Sequence, residues 1–110
     1  MRPPSLSQTL AACRARGETA LVAYVVAGDP SLGATEKFVT ALSQAGADII
    51  ELGVPFSDPL ADGPVNQRAS ERALRAGTTL RGVLGCVRRL RESGLQTPLV
   101  LFTYLNPVLQ

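Results

Sequence analysis

The chain has 110 residues, enough for one small domain and not two, with 45% hydrophobic residues, as in ordinary globular proteins. No apolar run approaches the ~20 residues that span a bilayer, and Met1–Leu6 lacks the apolar core of a secretory signal, so a cytoplasmic protein is expected. The net charge of +2 divides unevenly: residues 1–63 carry four basic and seven acidic side chains, and residues 64–110 seven arginines and two glutamates. Those arginines (68, 72, 75, 81, 88, 89 and 91) fall on helical segments without interleaved aromatics, which predicts solvated helix faces and no nucleic-acid site. With no histidine and no CxxC, Cys13 and Cys86 are expected as buried small apolar side chains, and no metal site is expected.

In chain order, Leu6, Leu10 and Cys13 recur at helical spacing, and Gly17 follows. The run 20–26, Ala-Leu-Val-Ala-Tyr-Val-Val, reads as a strand buried on both faces. Gly28-Asp29-Pro30-Ser31 supplies turn and cap chemistry for a helix whose apolar stripe is Phe38, Val39, Leu42 and Ala45, closed by Gly46. Asp48 to Leu52 is a second strand. Pro64 opens a helix to about Ala76, and Thr79 caps another whose buried face is Leu80, Val83, Leu84, Val87 and Leu90. Residues 98–104, Pro-Leu-Val-Leu-Phe-Thr-Tyr, form a third strand, after which Asn106-Pro107 turns the chain.

Strands alternating with helices predict an α/β fold with a parallel sheet. Such strands need helices on both faces or closure into a barrel, and a (β/α)8 barrel takes about 250 residues. The expectation is therefore one partial barrel over residues 1–110, without a second domain and continuing in something larger.

The chemistry lies between the second strand and the helix that Pro64 opens. Glu51 ends the apolar run Ile49-Ile50, and a proline-rich loop then brings Asp58 and Asp62. A carboxyl group at the mouth of an apolar barrel is partly desolvated, which favours its protonated form, and two carboxylates in unlike environments can divide acid and base roles. The same residues also read as an ion-paired surface glutamate and an Asp-Gly-Pro turn.

Residues 50–64, Ile-Glu-Leu-Gly-Val-Pro-Phe-Ser-Asp-Pro-Leu-Ala-Asp-Gly-Pro, closely resemble the signature of the tryptophan synthase α subunit. Tyr24–Pro30, Gln67, Ala69 and Tyr104–Pro107 resemble it in the same order. The resemblance implies a (β/α)8 lyase that cleaves indole-3-glycerol phosphate to indole and glyceraldehyde 3-phosphate by a retro-aldol reaction. It places the catalytic glutamate at Glu51, protonating the indole ring carbon, and the second carboxylate at Asp62, accepting the indole N–H. Tyr24 matches an aromatic position beside the substrate, or serves as barrel core. Val26 stands where many relatives carry threonine. Pro55, Phe56, Ser57, Asp58 and Pro59, with Asn106 and Pro107, fall on the surface that meets the β subunit in an α2β2 assembly. Asp58 reads equally as an interface residue and as an Asx turn. The resemblance implies no cofactor in this chain, with pyridoxal phosphate only in the β subunit. The family's phosphate-binding glycines and serine, and its lid, have no counterpart here. A catalytically inactive half-barrel that self-associates or contacts a β subunit is the alternative. Another sugar-phosphate barrel enzyme fits the loop less well.

Overall fold

The computed structural model describes residues 2–57 and 63–104. In chain order these form α1 (Leu6–Ala15), β1 (Val22–Val26), α2 (Leu32–Gln44), β2 (Ile49–Gly53), α3 (Pro64–Arg75), α4 (Leu80–Glu92) and β3 (Leu99–Phe102). The strands form one parallel sheet in the order β1-β2-β3. Registers run Val22 opposite Ile49 through Val26 opposite Gly53, and Ile50 opposite Leu99 through Gly53 opposite Phe102. Among the described residues no helix is long and apolar enough to cross a membrane.

Local chemistry sets the helix starts. Ser5 and Gln8 make a reciprocal capping box on α1. Ser31 accepts from the Ala34 N–H and Thr79 from the Gly82 N–H, while Pro64 occupies the first turn of α3, where a missing N–H costs nothing. β1 begins two residues later than its apolar run suggests. The Leu21 N–H is taken by the Asp48 carboxylate at 2.8 Å, and its carbonyl by the N–H groups of Asp48 and Ile49.

Side chains alternate across the sheet. Ile50 and Leu52, with Ala23, Val25 and Leu99, point toward α2 and α4 and join Val39, Cys86, Leu90 and Leu95 in the main core. Leu52 is fully buried there. Leu52→Ala should therefore cost about 2–5 kcal/mol, read as a drop in the urea midpoint without a change in slope.

Four expectations about burial need correction. Only β2 is buried on both faces; Tyr24 in β1 is 37% exposed and Phe102 in β3 is 50% exposed, because described helices cover the sheet mainly on one side. On α2, Phe38 and Ala45 are exposed, and the buried stripe is Thr35 and Val39, with Leu32 and Leu42 partly covered. On α4, Leu84 is exposed: it lies about 100° round the helix from Val83, off the stripe that Val83, Cys86 and Leu90 present. Arg91 is no solvated arginine. Its guanidinium donates to the carbonyls of Leu95 and Thr97, both at 2.8 Å, tying α4 to the approach to β3, and burial lowers its pKa. The remaining six arginines are exposed, and both cysteines are free and buried, with burial raising the Cys86 thiol pKa.

Candidate active site

Parallel register puts Tyr24, Glu51 and Val100 in one cross-strand row, with Val26, Gly53 and Phe102 in the next. These residues alternate with the core residues Ile50 and Leu52, so Glu51 projects from the opposite face, the one the described helices leave partly open. Glu51 is half-buried, and none of the ion pairs among the described residues engages it. The reading of Glu51 as an ion-paired surface residue therefore lacks a described partner. The strand also runs one residue past its expected end at Leu52. β2 continues to Gly53, and the ladder goes one step further through Ala27 N–H to Gly53 C=O and Val54 N–H to Phe102 C=O, each 2.9 Å.

Gly53 has a definite task in this row. A Cβ there would collide with the Tyr24 hydroxyl, so only glycine lets the Tyr24 ring lie across β2 beside Glu51. Phe102 meets that ring edge-on, with centroids 6.0 Å apart and planes at 84°. Tyr24 and Phe102 thus share the sheet face from which Glu51 projects, a setting suited to a flat apolar ligand.

Beyond β2, Val54 is buried with Ala27 and Val83, and Pro55 is buried as well. Phe56 stacks on Tyr104 with centroids 4.8 Å apart. The start of the loop is thereby anchored, while Ser57 is exposed. Of the candidate residues, Asp58, Pro59, Asp62, Asn106 and Pro107 lie outside the described residues.

After the loop, α3 packs on the end of β1, with Ala69 and Ala73 against Val26. Arg72 reaches the turn after β1 and binds Asp29 with both arms of its guanidinium, Nε to Oδ1 at 2.9 Å and Nη2 to Oδ2 at 3.0 Å. The Asp29 carboxylate raises the Arg72 pKa. A groove of about 620 Å³ runs along the outer side of β1 between Tyr24, Val26, Phe38, Leu42, Val65 and Arg72. Tyr24 forms part of its wall and Glu51 does not. The chemistry-bearing carboxylate thus stands in the strand row and not in the groove. Sequence reasoning missed the Asp29–Arg72 pair and both aromatic contacts. Nothing in the chain order links residues 43 apart, and only the parallel topology brings them to one end of the sheet.

A parallel sheet β1-β2-β3 with helices between its strands and a carboxylate in the central one is the arrangement expected at the start of a (β/α)8 barrel. Comparison with known proteins specifies the family. The family described as "Tryptophan synthase alpha chain" matches residues 10–110. The tryptophan synthase alpha chain of Citrifermentans bemidjiense is 57% identical over 103 residues, covering 94% of this chain and 38% of that protein. That of Burkholderia thailandensis is 55% identical with the same coverage. Among solved structures, tryptophan synthase subunit alpha from Legionella pneumophila superposes with a TM-score of 0.91 at 44% identity, over 94% of this chain and 40% of that one. Tryptophan synthase from M. tuberculosis in an aminoacrylate-bound form gives 0.87 at 43% identity, over 94% of this chain and 42% of that one. The chain belongs to the tryptophan synthase alpha chain family, and it spans about two-fifths of the length of the relatives it matches.

Proposed function

We propose that this chain supplies the acid–base part of a tryptophan synthase α lyase, which cleaves indole-3-glycerol phosphate to indole and glyceraldehyde 3-phosphate. The observation that carries the reading is the half-buried Glu51 in the central strand, on the same sheet face as the paired rings of Tyr24 and Phe102, in a member of this family. In the proposed reaction, the Glu51 carboxyl group protonates the indole carbon that bears the glycerol phosphate side chain. The carbon–carbon bond then breaks as the Glu51 carboxylate left by that transfer takes the hydroxyl proton of the departing chain, which restores the acid with no net oxidation or reduction. Asp62 accepts the indole N–H and stabilises the positive charge that develops on that nitrogen, where complementarity to the transition state has most effect. Tyr24 lines the indole site.

Pro55, Phe56, Ser57, Asp58 and Pro59, together with Asn106 and Pro107, are proposed to meet a β subunit. Among the described residues of that surface, Pro55 is buried and Phe56 stacks on Tyr104. Pyridoxal phosphate belongs to the β subunit in this reading, and this chain uses no cofactor of its own.

The test is indole release from indole-3-glycerol phosphate, measured on the protein itself and on a fusion joining residues 1–110 to the remaining three-fifths of the L. pneumophila relative. Saturable release by either is the expected result. A fusion that melts cooperatively yet releases no indole would favour the alternative, a non-catalytic half-barrel whose exposed Tyr24, Phe102 and Phe38 promote self-association.

A further inference from the structure

We propose that Gly53 is a positioning residue that sets the depth of the ring-binding face beside Glu51, and through it the size of ring system the site accepts. This rests on the functional reading above and deepens it. Nothing in the backbone asks for glycine at this position. Gly53 is paired on both sides, to Val26 in β1 and Phe102 in β3, and its φ is not among the positive ones of Gly17, Gly28, Gly46, Gly77 and Gly94. A glycine inside a strand weakens it, being freer in the unfolded chain and bringing no side chain to pack. The reason for it therefore lies in the space it leaves.

That space belongs to Tyr24. The three atoms nearest to a Cβ at residue 53 are all in its side chain: the hydroxyl oxygen, Cζ at 2.7 Å and Cε2 at 3.2 Å. The far end of the ring thus rests on the bare backbone of β2, in the row that follows Glu51 toward the C-terminal ends of the strands. There Phe102 meets it edge-on from β3, and both rings keep an exposed side. Together they form an apolar floor next to the carboxylate. Residues 51 and 53 project from the same face of the sheet, so a methyl group at 53 pushes the Tyr24 ring outward, over that face. The atoms it strikes belong to the tip of a side chain and not to backbone, so the ring moves and the ladder stays. A raised floor penalises a ligand in proportion to the area it lays there. A two-ring ligand such as indole meets it over a larger area than a single ring such as pyrrole.

The chain holds two tyrosines, Tyr24 and Tyr104, so 3-fluorotyrosine labelling gives the protein two fluorine resonances, which Tyr24→Phe assigns. Indole and pyrrole are titrated against the wild type and Gly53→Ala, in the protein itself and in the fusion described above. In the wild type, indole is expected to move the Tyr24 resonance saturably. Gly53→Ala should weaken indole at least about tenfold, as when one methyl group too many enters an apolar pocket, and pyrrole by less than about threefold. In the fusion, Gly53→Ala should raise KM by a factor similar to the loss of indole affinity and leave kcat within about threefold, whereas Glu51→Gln acts on kcat. Equal weakening of indole and pyrrole, or indole binding unchanged by Gly53→Ala, overturns the positioning role and leaves the functional reading standing. If Gly53→Ala does not fold, Gly53→Ala/Tyr24→Leu decides. A cooperative melt of that double variant assigns the fault to the Tyr24 ring, as proposed, and an unfolded double variant overturns the role. Should indole move the Tyr24 resonance in neither the protein nor the fusion, the functional reading and the positioning role fall together.

Discussion

Glu51→Gln is expected to remove indole release by at least about a thousandfold while leaving the protein folded. Glutamine matches glutamate in shape and length, so the cross-strand row of Tyr24, Glu51 and Val100 keeps its packing. It has no proton to transfer at neutral pH, and the proposed reaction begins with protonation of the indole ring. Among the described residues Glu51 is in no ion pair, so the substitution breaks none and strands no buried charge. The melting temperature should consequently hold, which separates this outcome from unfolding. Glu51→Asp makes the complementary point. It keeps the acid and withdraws it by about one bond length, for which a loss near a hundredfold is expected. Both are measured as kcat on the active form. Wild-type turnover by Glu51→Gln would remove Glu51 from the chemistry.

Much of this frame is legible in the residues themselves. Val22–Val26, Ile49–Leu52 and Leu99–Phe102 are apolar, β-branched or aromatic runs too short for helices, and caps such as Ser31 and Thr79 mark where helices begin. The buried cysteines follow from the chemistry of small apolar side chains without a metal partner. What the sequence hides is which side of each element is covered. Phe38 and Leu84 look like core residues, yet each sits at the border of its stripe, where burial depends on what packs alongside. The second strand reads as ending at Leu52 because Gly53 is a poor strand former. In the fold Gly53 stays in the ladder, since the Tyr24 ring needs the space a side chain would fill. The Asp29–Arg72 fork was illegible for another reason: its partners belong to different units and meet only through the sheet order. For Asp62 the sequence gives its neighbours in the chain, and the path from Gly63 onward is where structure takes over.

The turn after β1 should be the least tolerant position outside the main core, and Gly28→Ala tests it. Gly28 has φ +92°, a conformation that costs an L-residue about 1–3 kcal/mol. A Cβ there would also press into Thr78, 2.7 Å from both its Cβ and Cγ2, and overpacking of this kind typically costs about 1–3 kcal/mol more. Neither neighbour yields easily. The Gly28 N–H is held by the buried Thr35 hydroxyl at 2.9 Å, which in turn donates to the Ser31 carbonyl at 3.0 Å. The Thr78 N–H is held by the Ala73 carbonyl at 3.1 Å. The expected loss is therefore about 2–6 kcal/mol, a large part of a small domain's stability. The two contributions separate in a double mutant. Thr78→Ala removes the atoms nearest the intruding methyl group, apart from its own Cβ, and leaves the positive φ untouched. It should restore about 1–3 kcal/mol to Gly28→Ala. Urea unfolding of the wild type, both single variants and the double variant measures the coupling. Simple additivity would mean that the backbone conformation alone makes Gly28 necessary, and that Thr78 does not brace the turn against α3.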